Sequence, residues 1–159
     1  LNKANGLFTL GNYEESLKYY ERYKRLCHHQ GTSIVDVTIG HIYLMQGNAS
    51  EAQRYYHLAL AKTQSKSLTL IYIGISTFDN GYVEYAYNIF STLLPEMDDD
   101  WDIGFAYLAR CCYELKLKKE FKIYLRQAVE RNPEESIEVL SDLYPEGTSP
   151  QDYPNIRIL

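Results

Sequence analysis

Apolar and polar positions along this chain alternate with a helical period, and the pattern comes in pairs of helices separated by short polar breaks. The clearest copy is Gly40 to Leu60, GHIYLMQGNASEAQRYYHLAL. Ile39, Gly40 and Tyr43 place a small residue between two large ones on one helical face, so a second helix can approach closely at the glycine. Gln46-Gly47-Asn48 breaks the helix: Gly47 can take the left-handed conformation that ends one helix, and Asn48 with Glu51 three residues on reads as the capped start of the next. Ala52, Tyr56, Ala59 and Leu60 then form the packing face of the second helix.

The hairpin recurs. Gly74, Gly81, Ala86 and Phe90 repeat Gly40, Gly47, Ala52 and Tyr56, each displaced by 34 residues. Upstream, Gly11-Asn12 is the turn, Glu15 takes the place of the capping glutamate, Tyr20 stands 36 residues before Tyr56, and Ala4 is the small residue. Downstream, Ala109, Lys116, Phe121, Leu125 and Ala128 make a fourth and most divergent copy, displaced by a further 35. Lys116 there lacks the freedom of glycine, at a cost of roughly 1 kcal/mol if the left-handed turn is kept. Asn132-Pro133-Glu134-Glu135 starts another helix, with a capping asparagine, proline at the first position and acids in the first turn. Pro145 ends it.

A unit of about 34 residues with this pattern resembles the tetratricopeptide repeat. Gly40, Tyr43, Gly47, Ala52, Tyr56 and Ala59 stand at that family's signature places, as do Gly74, Gly81, Ala86 and Phe90. The first copy departs with Ser16 in the usual alanine place and the fourth with Phe121. The resemblance implies an all-α fold, a right-handed α-solenoid of about four helix-turn-helix repeats plus a capping helix. Within it, residues 1–145 form the array, as about 1–30, 31–64, 65–98 and 99–132 with the capping helix at 133–145, and residues 146–159 form a C-terminal tail. Residues 145–159 hold three of the five prolines, which argues against a helix, yet the chain ends in Tyr153, Ile156, Ile158 and Leu159.

The resemblance also implies a concave groove lined by the first helices. Its register places Val37, His41 and Leu44 there, then Ile71, Ile75 and Phe78, then Ala106, Arg110 and Tyr113, with Asn5 and Phe8 from the incomplete first copy. The expected peptide-binding residues are thus Asn5, Phe8, Val37, His41, Leu44, Ile71, Ile75, Phe78, Arg110 and Tyr113. Leu44, Ile71, Ile75 and Phe78 make an apolar middle. Arg110 is the charged residue in the groove, set either to pair with a partner's carboxylate or carbonyl or to pair with Glu114 one turn on. Relatives that grip a terminal carboxylate use lysine, asparagine and arginine; here Asn5 remains, but Leu1, Thr38, Leu68 and Tyr72 hold the other places, so that activity is not implied.

The helix from Ser67 to Asn80 is apolar on nearly every side and so is expected to be covered all round. Its cover is either tight packing between repeats or an added element: a bound partner, a second copy in a homodimer, or the C-terminal tail. The expected function is a non-catalytic protein–protein interaction scaffold that binds an apolar or amphipathic peptide. The alternative is a regulatory or sensor segment of a larger multidomain protein.

Composition narrows the chemistry. With 16 Lys and Arg against 21 Asp and Glu the net charge is -5, which argues against a nucleic-acid partner. No apolar run reaches membrane-spanning length. Three cysteines, two of them adjacent, do not make a disulfide framework, which favours a reducing, cytoplasmic setting, although the chain starts inside a helical pattern and a signal peptide upstream of Leu1 stays open. No metal site is expected: Cys27-His28-His29 has no second ligand pair at a recognisable spacing, and Asp98-Asp99-Asp100-Trp101-Asp102 lacks the glycine and distant glutamate of a calcium loop. Those carboxylates are more simply placed ahead of a helix starting near Asp102. No phosphate loop or activated nucleophile appears, so neither cofactor nor catalysis is expected. The 16 tyrosines fall mostly on helical packing faces.

Overall fold

The structure, a computed structural model, describes all of residues 1–159 and contains helices and turns but no strand. Nine α-helices follow one another: α1 (Asn2–Thr9), α2 (Tyr13–Leu26), α3 (Ser33–Met45), α4 (Ala49–Lys62), α5 (Lys66–Asp79), α6 (Val83–Leu93), α7 (Phe105–Glu114), α8 (Lys118–Arg131) and α9 (Pro133–Leu140). Helices adjacent in sequence pack as pairs, most extensively α3 with α4, α7 with α8 and α1 with α2, which is the arrangement of a helical repeat. The chain divides into two compact units, Leu1–Ser76 and Thr77–Leu159, with the boundary inside α5.

The hairpin turns share one local geometry. At Gly47 the chain is left-handed (φ 81°), its N–H donates to the Leu44 carbonyl at 3.0 Å, and the Asn48 N–H donates to the Tyr43 carbonyl at 2.9 Å. This closure satisfies carbonyls left open at the helix end. Lys116 keeps the same turn without glycine: φ is 59°, with N–H bonds from Lys116 to Tyr113 at 3.1 Å and from Leu117 to Cys112 at 2.8 Å. The next helix is capped by a side chain at Asn48, which accepts from the Glu51 N–H at 3.2 Å, and at Asn132, which accepts from Glu135 at 3.1 Å. Asn12 makes no such bond, and Glu15 pairs with Lys18 instead.

In the first unit, Ala4, Tyr20, Val35, Ile39, Ile42 and Tyr55 form the core of α1 to α4. Gly40 faces the ring of Tyr56, and no side chain fits between them: an added Cβ would lie 2.6 Å from Tyr56 Cε1. Ser16, in the place of an alanine, is fully buried and donates to the Ala4 carbonyl at 2.8 Å, so its hydroxyl is satisfied where an alanine would need no partner.

In the second unit, Phe121 and Leu125 of α8 are buried with Leu108, Ala109, Cys111 and Cys112 of α7. Expectation and structure differ at two points. Helix α7 starts at Phe105 rather than near Asp102, because Gly104 takes a left-handed φ of 100° and turns the chain just before it. The tail, despite its prolines, forms a short 3-10 helix over Pro150–Asn155 that packs on α8 and α9. Tyr153 in that turn is 1% exposed and stacks on Tyr144 with ring centres 4.0 Å apart, so the tail belongs to the core of this unit. No helix is long and apolar enough to cross a membrane.

Candidate peptide-binding faces of the first helices

In the first unit the expected binding residues lie on α1, α3 and α5. Asn5 is exposed, and its side-chain oxygen accepts from the Tyr20 hydroxyl at 2.6 Å, which ties α1 to α2. Phe8 is half-buried, 5.9 Å from the ring of Tyr13 and edge-on to His41 at 6.1 Å, so α1 and α3 meet through an aromatic contact. His41 Nδ1 lies 2.7 Å from Ser76 Oγ, which is also 2.6 Å from the Tyr56 hydroxyl. Burial holds the His41 pKa below its ordinary 6.5, with a hydrogen bond to the backbone of Ser76 opposing the shift.

The apolar positions of that face split. Ile71 is 0% exposed, Val37 5% and Leu44 8%, so these three serve as packing residues and are not open to a ligand. The expectation that Val37, Leu44 and Ile71 line an open groove is corrected accordingly. On a helix, positions i, i+4 and i+7 sweep an arc wide enough that its edges reach under neighbouring helices. Asn5, Phe8, His41 and Ile75 are what remains accessible.

In the second unit Phe78, Arg110 and Tyr113 are each half-buried. Phe78 meets the Tyr107 ring edge-on at 5.6 Å, and Tyr113 lies 5.9 Å from Phe121. Arg110 is committed within the chain: Nε donates to Glu114 at 2.9 Å, Nη1 to the Val139 carbonyl at 3.1 Å and to Asp142 Oδ1 at 2.6 Å, and Nη2 to Asp142 Oδ2 at 3.1 Å. The bidentate pair holds the Asp142 carboxyl below the usual carboxylate range. Arg110 therefore latches the segment after α9 onto α7: of its two expected roles the pair with Glu114 one turn on is formed, and Asp142 adds a second carboxylate to the same guanidinium.

Residues 108–135, from within α7 through α8 to the first turn of α9, match the family model described as tetratricopeptide repeat. The chain carries a tetratricopeptide repeat. A comparison with curated proteins finds no match. Tetratricopeptide repeats form a non-catalytic interaction family that mediates protein–protein contacts and implies a protein partner. The matched repeat is the one whose turn uses Lys116 and whose alanine place holds Phe121.

Around this tetratricopeptide repeat, sequence reasoning missed three polar devices. Glu135 on α9 reaches across to the start of α7, accepting from the Gly104 N–H at 3.0 Å and so capping a helix distant in sequence. Its own burial raises its pKa, opposed by the backbone N–H groups of Gly104 and Ala106. Arg131 clamps the preceding acidic loop through the carbonyls of Asp98 and Trp101, at 2.5 and 2.7 Å, with its guanidinium 4.3 Å from the Phe105 ring centre. Neither had a signal in the sequence, since both depend on how the 98–104 loop folds back.

The third device lies in the first unit. Asp36 on α3 is fully buried, with one oxygen 2.6 Å from Lys24 Nζ of α2 and the other 2.6 Å from Lys62 Nζ of α4. Lys62 also donates to Thr32 Oγ1 at 3.3 Å, and the Tyr55 hydroxyl donates to Glu21 at 2.7 Å beside Lys24. A signal was available here: Ser16, Tyr20 and Lys24 share the buried stripe of α2 at four-residue spacing, which puts a lysine where an apolar residue belongs.

Cys111 and Cys112 are buried, and burial pushes both thiols up to about 12, which keeps them protonated at neutral pH. His28 and His29 sit in consecutive left-handed conformations (φ 51° and 58°) just past the end of α2, and no group of three His, Cys, Asp or Glu side chains is placed to hold a metal ion.

Proposed function

We propose that this chain is a non-catalytic interaction scaffold that binds an apolar or amphipathic protein segment on the first-helix faces of its hairpins. We read it as one array of four hairpins with a capping helix. The observation that carries the proposal is the set Phe8, His41 and Ile75, half-buried side chains on α1, α3 and α5, with His41 and Ile75 at one register position and Phe8 about one helical turn beyond it. Covering them removes apolar surface from water at about 25 cal/mol per Å². Asn5 adds a polar group at the edge of that surface, where a backbone N–H or carbonyl of an extended or helical ligand can bond. In the second unit Phe78 and Tyr113 supply the corresponding apolar contacts.

The test changes Phe8 and Ile75 together to serine in the full chain. Helical content by circular dichroism should stay within a few per cent, since neither side chain is fully buried, while affinity for amphipathic peptides selected on a hydrophobic-peptide array falls by about tenfold or more. Peptide binding that persists unchanged in a folded variant overturns the proposal. Sedimentation of the unmodified chain shows whether a second copy occupies the same face.

A further inference from the structure

Helix α8 presents two opposite stripes. Phe121, Leu125, Ala128 and Val129 face inward and are buried. On the outward side, Lys119, Lys122, Ile123, Arg126, Gln127 and Glu130 line a shallow depression of about 670 Å³. Lys119, Lys122 and Arg126, at i, i+3 and i+7, project from the same side of the helix. The ion pairs of the chain involve other cations, Lys18, Lys24, Arg54, Lys62 and Arg110. Three exposed, unpaired cations on one stripe thus stand out against a net charge of -5. Glu130 at the far end is the only acid in the depression.

The middle of the stripe is apolar. Ile123 is 57% exposed and lies between Lys122 and Arg126, whose aliphatic stems extend the apolar surface around it while their charged ends stay in water. Lys122 also lines a separate, smaller cavity of about 140 Å³ with Phe121, Leu125 and residues Pro154 to Leu159. A rigid helix, an apolar centre and a ring of one sign of charge make a surface selective for a ligand of the opposite pattern.

We propose that the outward face of α8 docks an acidic amphipathic segment of a partner protein. One apolar side chain of that segment covers Ile123, and carboxylates on either side of it meet Lys119, Lys122 and Arg126. From Lys119 to Arg126 the stripe runs about 10 Å, so two helical turns of ligand suffice. Charge complementarity selects the occupant. A nucleic acid would meet only three cations on a protein of net negative charge, and the depression holds no aromatic ring on which a base could stack. A lipid surface would find one exposed apolar side chain to insert. This surface is on a second helix, so it is separate from the first-helix faces and its test is independent of theirs.

The experiment titrates the isotopically labelled full chain with a helical peptide of about three turns, carrying glutamates at i, i+3 and i+7 around a central leucine, and follows amide shifts by NMR. Shifts confined to residues 118–130, with affinity about tenfold weaker for the glutamine version of the peptide and falling with salt, support the proposal. The variant Lys119→Glu/Lys122→Glu/Arg126→Glu should lose the shifts, and Ile123→Ser should weaken binding about threefold to tenfold. All four side chains are exposed, so circular dichroism should match the parent; if charge reversal unfolds the chain, the Lys119→Gln/Lys122→Gln/Arg126→Gln variant is read in its place. Phe8→Ser/Ile75→Ser should leave the shifts unchanged. The proposal is overturned if the shifts fall elsewhere, if the glutamine peptide binds equally well, if oligothymidine or phosphatidylserine vesicles bind the stripe more tightly than the peptide, or if the same shifts arise from protein concentration alone.

Discussion

A Cβ added to Gly40 would lie 2.6 Å from Cε1 of Tyr56 and 3.1 Å from the Ala52 carbonyl oxygen. The ring cannot easily retreat, because its hydroxyl is anchored 2.6 Å from Ser76 Oγ. Gly40→Ala should therefore destabilise the chain by about 1–3 kcal/mol in urea or thermal unfolding. In the fourth hairpin Ala109 and Leu125 stand at the corresponding places and both are buried. Tyr56→Leu should accordingly relieve part of the cost of Gly40→Ala, a coupling of about 1 kcal/mol in a double-mutant cycle. Strict additivity would show that the two positions do not share one space.

Asp36 neutralises two lysines, one of them with a side chain only 4% exposed. Asp36→Ala leaves those charges without a counter-ion, and a loss of about 3–5 kcal/mol is expected. Asp36→Leu combined with Lys24→Met should lie closer to the parent than Asp36→Ala does, since it also removes a buried charge. A loss below about 1 kcal/mol for Asp36→Ala would mean that water reaches the lysines.

His41 has a folded-state pKa below the ordinary 6.5, chiefly through burial. The unfolded chain then takes up this proton more readily. The His41 contribution is fully present above pH 6.5 and declines as pH falls through 6.5 towards the folded pKa. An NMR titration of the ring should give a midpoint under 6.5, and His41→Gln should flatten that part of the stability profile. A midpoint above 6.5 would contradict the burial of the ring beside Phe8 and Ser76.

Lys116 holds φ 59° at an exposed turn where the other hairpins use glycine. Lys116→Gly should raise stability by about 0.5–1 kcal/mol, the strain relieved less the extra entropy of the unfolded chain. A β-branched residue there should do the reverse. Equal stability of Lys116→Gly and Lys116→Val would remove left-handed strain as the account of this turn.

Helix positions, turns and caps were legible in the sequence because each rests on residues a few places apart: Gly47 ends α3, Asn48 and Asn132 bond the third residue on, and Gly40 admits Tyr56 by size alone. The start of α7 and the course of the tail were not, since Gly104 acts through its conformation and Tyr153 through stacking on Tyr144. For the expected binding face, periodicity assigns residues to a side of a helix but not to a depth. Phe8 and Leu44 share one register, yet Phe8 is half-buried and Leu44 buried, because depth is set by the neighbouring helices that close over each residue. Charges behave likewise. Arg110 looked available to a partner until Asp142, 32 residues on, was brought within 2.6 Å of it. Asp36 became a buried counter-ion only once α2 and α4 each delivered a lysine to it, and short-range pattern does not encode which distant charges the packing of helices will join.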